Sequence, residues 1–258
     1  MSSGTLAEVV AIGVLTAAVA AAAAWAWAWA RPLRLGPLRI ALFGLNQLLA
    51  RVLWRASANR PLPVEPGQGA VIVCNHRAPF DPSFVYLTTR RIVHWMVARE
   101  YYDHPLLAWF FRASESIRVN RGGIDTAATK AAIRLAKAGG LVALFPEGRI
   151  NTTDQVLLPG RPGAAMIALR ARVPIVPCYV TGSPNDGTFW GFLFMPAKVR
   201  LEVGRPIDTR PFWDRASERE AAEELTRIFL REMAALAGVA DFEPRLAGRF
   251  YRPRLDEP

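Results

Sequence analysis

Lysine is nearly absent from this 258-residue chain: Lys130, Lys137 and Lys198 are its only three, so the 32 basic residues that outweigh 22 acidic ones are almost all arginine. A formal charge of +10 favours partners that carry phosphate or other negative charge. The arginines are scattered and no nucleic-acid-binding motif accompanies them, so no nucleic acid partner is expected. Only two cysteines occur, Cys74 and Cys178, each inside an apolar run, which excludes a disulfide framework and reads as core packing in a reducing compartment. Three histidines, His76, His94 and His104, have no zinc-type spacing with those cysteines, so no metal site is expected. A G-x-S-x-G elbow is missing, which removes the usual serine hydrolase. No repeat of fixed period is present, and solenoid architectures drop out with it.

Charge is also missing from Val9 to Ala30. At about 1.5 Å per helical residue that run matches the ~30 Å hydrocarbon core of a bilayer, and it reads as a transmembrane helix. Trp25, Trp27 and Trp29 gather at its end, followed by Arg31, Arg34 and Arg39, while only Glu8 precedes it. The positive-inside bias places the rest of the chain in the cytoplasm. A cleaved signal peptide is the competing reading, but it would want a basic leader and a shorter apolar stretch.

A second helix is predicted over about 38–56. Leu38, Leu42, Leu45, Leu49, Val52 and Leu53 fall on one stripe, and Arg39, Asn46, Gln47, Arg51 and Arg55 on the other side. Such a helix either lies along a membrane surface or packs on the domain that follows. Residues 1–58 are therefore read as a membrane anchor, 59–240 as one catalytic domain and 241–258 as a tail. A 52% hydrophobic content suffices for one sizeable core.

Within 59–240, short aliphatic runs alternate with helical patterns. Strands are predicted at Ala70–Cys74, His94–Ala98, Ser116–Val119, Leu141–Phe145, Pro174–Val180 and Val199–Val203. Helices are predicted at Pro82–Thr89, Pro105–Arg112, Thr126–Ala138, Gly163–Arg172 and Glu218–Leu236, the last capped by Ser217. The order defines an α/β class, a sheet flanked by helices.

The chemistry gathers where the first strand ends, at Asn75, His76, Arg77, Ala78, Pro79, Phe80, Asp81 and Pro82. Pro79 biases Ala78 away from helical dihedrals, and Pro82 suits a helix start capped by Asp81. A loop turning into a helix brings Asp81 back toward His76. A carboxylate on one imidazole nitrogen fixes the tautomer and frees the other nitrogen to take a proton from an alcohol. Taken alone, the pair reads more readily as a helix cap beside a satisfied polar histidine.

Three further blocks follow in order: Ser116–Arg121, then Phe145, Pro146, Glu147, Gly148 and Arg149, then Val173–Pro177 with Cys178 and Tyr179. Together with Asn75–Pro82 they resemble the glycerolipid acyltransferase family, which includes the lysophosphatidic acid and glycerol-3-phosphate acyltransferases. The first block is similar to the NHxxxxDP signature and the third to the FPEG core. The resemblance implies His76 as general base, Asp81 as its partner, and Arg121 as a phosphate-binding arginine. It implies substrate-binding roles for Asn75, Glu147, Gly148, Arg149 and Arg161, and a fourth block that shapes the pocket. It also implies no cofactor, with acyl-CoA or acyl-ACP as co-substrate, membrane phospholipids as surroundings, and a lysophospholipid or glycerol phosphate acceptor. Many relatives place Thr before Arg after the FPEG glycine, whereas Arg149 comes first here and Ile150 second. That departure leaves the acceptor open among lysophosphatidic acid, glycerol-3-phosphate and a lysophospholipid bearing a head group. A catalytically inactive membrane scaffold is the distant alternative.

Arginine pairs hold phosphate with planar, bidentate donors, so Arg121, Arg149 and Arg161 suit a phosphate grip that leaves a neighbouring hydroxyl free to approach His76. Gly148 allows a tight turn, and the Glu147 carboxylate beside it is expected to bond the acceptor or to orient the arginines. His94 and His104 lie outside the four blocks and are expected to be structural.

Overall fold

The computed structural model describes residues 36–120, 125–185, 191 and 195–248. Two compact units, Met1–Phe43 and Gly44–Pro258, divide the chain. The uncharged run Val9–Ala30 and the tail beyond 248 lie outside the described residues, as does Arg121. No helix among the described residues is long and apolar enough to cross a membrane.

The second unit is built on a seven-stranded sheet. Its strands are β1 (Ser57–Ala58), β2 (Ala70–Cys74), β3 (Val93–Ala98), β4 (Ile117–Val119), β5 (Leu141–Leu144), β6 (Ile175–Thr181) and β7 (Arg200–Val203), in the spatial order β1-β7-β6-β2-β5-β3-β4. Neighbours run parallel except β6 and β7, which pair antiparallel. Every residue of β2 is buried, as expected of a strand covered on both faces.

Alternation along the strands separates two cores. Val71, Val73, Val142 and Ile175 face α5 (Thr126–Lys137), α6 (Gly163–Ala171) and α7 (Arg219–Leu236), whose Ala132, Ala136, Ala164, Ala168 and Phe229 complete that layer. Ala70, Ile72, Cys74, Ala143 and Val176 face the other way, onto Trp54, Phe84 and Val85. Phe84 and Val85 belong to α2 (Asp81–Val85); α3 (Arg99–Tyr102) and α4 (Ala108–Ala113) follow β3. Both faces of the sheet carry helices, as the alternating pattern predicts.

Two local expectations are corrected. Helix α7 has Glu218 at its N-cap with no side-chain bond, so Ser217 does not cap it; Glu218 instead accepts from Arg215. Helix α2 begins at Asp81 with Phe80 at the N-cap, and the Asp81 carboxylate turns back onto the preceding loop. The break between the compact units falls at Phe43/Gly44, so residues 44–58 belong to the second unit. Trp54 is fully buried there and β1 extends the sheet beyond β7.

Helix α1 (Pro37–Leu48) continues as a π-turn over Leu49–Leu53. From Gly44 onward the side facing the protein is mixed: Asn46 Nδ2 donates to Ser83 O and Gln47 Nε2 to Tyr86 O, while Ala50, Leu49 and Leu53 pack against the core. Leu45, Leu48 and Val52 are left on the outside, 52%, 59% and 69% exposed.

Candidate active site

Strands β2 and β5 are parallel neighbours in register, Val73 opposite Leu144. Their carboxyl ends therefore lie side by side, and the loop Asn75–Phe80 meets the turn Phe145–Gly148 although about 70 residues separate them. Crevices at the carboxyl edge of parallel strands are where open α/β sheets place their ligands.

His76 Nδ1 lies 3.0 Å from Asp81 Oδ2. The same oxygen accepts the backbone N–H of Arg77 at 2.6 Å and of Ala78 at 2.8 Å. Three donors converge on one acceptor, so Nδ1 carries the imidazole proton and Nε2 has a free lone pair. Asp81 is buried and the His76 side chain is 14% exposed, which keeps the pair dry while leaving one edge of the ring reachable. Phe145 stacks flat on the imidazole, with ring centroids 3.8 Å apart.

Asn75 and Glu147, expected as substrate contacts, each bond backbone groups of the fold. Asn75 is fully buried, with Nδ2 donating to Val180 O at 2.9 Å and Oδ1 accepting from Val180 N at 2.6 Å. Its amide thus ties the end of β2 to β6. Glu147 is 2% exposed; Oε1 accepts from His76 N and Oε2 from Leu158 N, both at 2.9 Å. Both of its oxygens are thus engaged by backbone donors of the fold. His76 is further held by Asn151, whose backbone N–H donates to His76 O at 2.7 Å.

Arg77 had no role in the sequence reading. Its guanidinium donates to the carbonyls of Asn151, Thr153 and Gln155 and clamps that loop against the catalytic one. Only its charge is visible in the sequence; carbonyls more than 70 residues away leave no local signal.

Gly148 takes φ +72°, the left-handed turn expected of it, and its N–H closes the turn on Phe145 O. A Cβ at Gly148 would stand 3.1 Å from Arg161 Nε, so the Arg161 side chain lies over this glycine. Arg161 N also donates to Pro146 O. Arg149 follows directly in the chain, and its Nε is buried without a hydrogen-bond partner among the described residues. Arg149 and the Arg161 side chain thus both border this turn, which adjoins the histidine loop. Arg121, beyond the end of β4, is outside the described residues.

Burial pushes the Glu147 carboxyl up to about 7, against the downward pull of its two backbone N–H donors. The folded chain then holds a proton on Glu147 more tightly than the unfolded chain does. That contribution to stability is complete below the ordinary value of 4.5 and is lost as pH rises through about 7. The shift corresponds to on the order of 3 kcal/mol. Glu147→Gln cannot ionise, so the loss of unfolding free energy between pH 5 and pH 8 should shrink by that amount in the variant. An unchanged pH slope in urea unfolding would place its origin elsewhere.

Burial raises the Cys74 thiol well above its ordinary range and Cys178 to about 12, so neither supplies a thiolate nucleophile. His94 Nδ1 lies 3.0 Å from Glu115 O and the His104 ring accepts from Leu106 N, both away from the four blocks.

A histidine bonded to a buried carboxylate thus stands at the carboxyl edge of the parallel sheet, with Arg149 following the adjoining turn and the Arg161 side chain over it. Residues 56–181 match the family described as Acyltransferase. The chain is 28% identical over 145 residues to the 1-acyl-sn-glycerol-3-phosphate acyltransferase of Bacillus subtilis, covering 56% of this chain and 69% of that one. It is 29% identical over 143 residues to the enzyme of that name from Limnanthes douglasii, covering 54% of this chain and half the length of that relative. The crystal structure of the 1-acyl-sn-glycerophosphate (LPA) acyltransferase of Thermotoga maritima has the same fold, with a TM-score of 0.59 at 19% identity over 80% of this chain and 83% of that one. The matched region, residues 56–181, is an acyltransferase domain similar to those of the glycerolipid acyltransferases.

Proposed function

We propose that this protein transfers a fatty acyl group from a thioester, acyl-CoA or acyl-ACP, to the free hydroxyl of lysophosphatidic acid. The observation that carries the reading is the His76–Asp81 pair held 3.0 Å apart beside the turn that presents Arg149 and Arg161. Nε2 takes the hydroxyl proton while the oxygen attacks the thioester carbon. The tetrahedral intermediate collapses with cleavage of the C–S bond, and the departing sulfur receives the proton back from the imidazolium. The thioester is already activated, so no acyl-enzyme is required. The shared name of the Bacillus and Limnanthes relatives favours lysophosphatidic acid over glycerol-3-phosphate or a lysophospholipid bearing a head group.

Arg149 and Arg121 are assigned to the acceptor's phosphate. A buried guanidinium Nε without a partner is an unmet donor, and a phosphate oxygen would satisfy it. Arg149→Ala and Arg121→Ala should each raise KM for lysophosphatidic acid about ten- to a hundred-fold, the equivalent of roughly 1.5–3 kcal/mol for a hydrogen bond to a charged group. Hydrolysis of the acyl donor by water, which needs no phosphate, should survive. Unchanged KM for every phosphate-bearing acceptor in both variants would remove the clamp.

The reading also places the protein at a membrane, with its catalytic unit facing the cytoplasm. The outward apolar side chains Leu45, Leu48 and Val52 of the helix from Gly44 onward support the membrane placement. A truncation beginning at Arg31 should still sediment with phospholipid vesicles, and adding Leu45→Asp, Leu48→Asp and Val52→Asp should release it. Failure of the truncated protein to bind vesicles would assign the stripe another role.

A further inference from the structure

Phe145 is the one residue of the Phe145–Gly148 turn with no role so far. Strand β5 ends at Leu144, and the turn swings the Phe145 ring flat onto His76, with centroids 3.8 Å apart and planes inclined by 2°. Trp95 backs it from the other side, 4% exposed, its ring centroid 4.8 Å from that of Phe145 and inclined by 26°. The stack follows from register: Trp95 of β3 pairs with Ala143 of β5, and residue 145 is two positions on, on the same side of the sheet. The column His76, Phe145, Trp95 therefore runs from the site into the core.

Asp81 constrains the imidazole within its own plane, through the Nδ1 bond. Rotation about that bond remains free unless something fixes the plane, and the face of Phe145 does so. The stack has an electrostatic consequence as well. When Nε2 takes the hydroxyl proton, the ring becomes a cation lying directly over the negative π face of Phe145. That attraction is absent before the proton moves, so it stabilises the transition state more than the ground state.

We infer that Phe145 is a positioning residue for His76, fixing the imidazole plane and stabilising the imidazolium formed during transfer. The inference rests on the acyl transfer reading for its reaction step, whereas the charge effect on the ring does not depend on which reaction follows.

Fluorinated phenylalanines at position 145 test it, because fluorine drains the π face while the ring keeps its shape. From 4-fluoro- through 3,5-difluoro- to pentafluorophenylalanine, kcat should fall stepwise, by about two- to thirty-fold in total, the range of a cation–π contact. KM for acceptor and donor should stay constant. Phe145→Trp should retain turnover, and Phe145→Leu should lose at least as much as the most fluorinated ring. A second reading is the Cε1 proton shift of His76 in the resting protein, followed by NMR at one fixed pH. The charged fraction of the imidazole should fall along the same series. If that trend holds while the unsubstituted protein acylates no acceptor, the acyltransferase reading fails and the stack's role stands. A flat kcat in an active series, or a charged fraction that ignores fluorination, would overturn the role of Phe145.

Discussion

His76→Ala should lower turnover by about a hundred- to ten-thousand-fold, the usual contribution of a positioned general base, and leave the fold intact. The fold survives because the contacts that hold this residue are mostly backbone: its N–H donates to Glu147 and its carbonyl accepts from Asn151, and alanine keeps both. Asp81 keeps two of its three donors, the N–H groups of Arg77 and Ala78. The melting temperature should therefore move little while kcat collapses, and KM for the acceptor should change far less than kcat. Turnover close to that of the unsubstituted protein, in a folded His76→Ala variant, would remove His76 from the mechanism.

Asp81→Asn should damage both activity and stability, which separates it from the histidine change. If the amide oxygen stays toward His76, Arg77 N and Ala78 N, the amide nitrogen occupies the position of Oδ1, which is buried and has no hydrogen-bond partner among the described residues. Unmet donors there should cost about 1–3 kcal/mol of stability. If the amide turns over, its nitrogen faces two backbone N–H groups and donates to His76 Nδ1. The proton then sits on Nε2, and the base is lost. In both orientations the imidazolium loses its counter-charge, so kcat should fall by about a hundred-fold or more. Paired kinetics and urea unfolding check the combination. Full activity in this variant would reduce Asp81 to a loop brace.

The strands around the site were legible because their aliphatic runs are short and fully buried, as in β2 and β6. The His76–Asp81 pair was legible because its partners are five positions apart and joined by a proline-bearing loop. Direction was not. Asn75 and Glu147 look like substrate contacts in a motif, yet each turns inward to a backbone group brought by the fold, Val180 for one and Leu158 for the other. The helix after Pro37 shows its stripe plainly, but not which side faces the protein; Ser83 O and Tyr86 O, more than 35 residues on, decide that. Strand β1 is two residues long, too short for any periodicity, and exists only because β7 offers it an edge.

The most direct measurement is acyl transfer by the purified full-length protein in phospholipid vesicles, given lysophosphatidic acid and, separately, acyl-CoA and acyl-ACP. The account predicts phosphatidic acid formed from at least one donor, its rate falling at least about a hundred-fold in His76→Ala. A folded protein that acylates neither lysophosphatidic acid nor glycerol-3-phosphate nor a head-group-bearing lysophospholipid, with either donor, would contradict it.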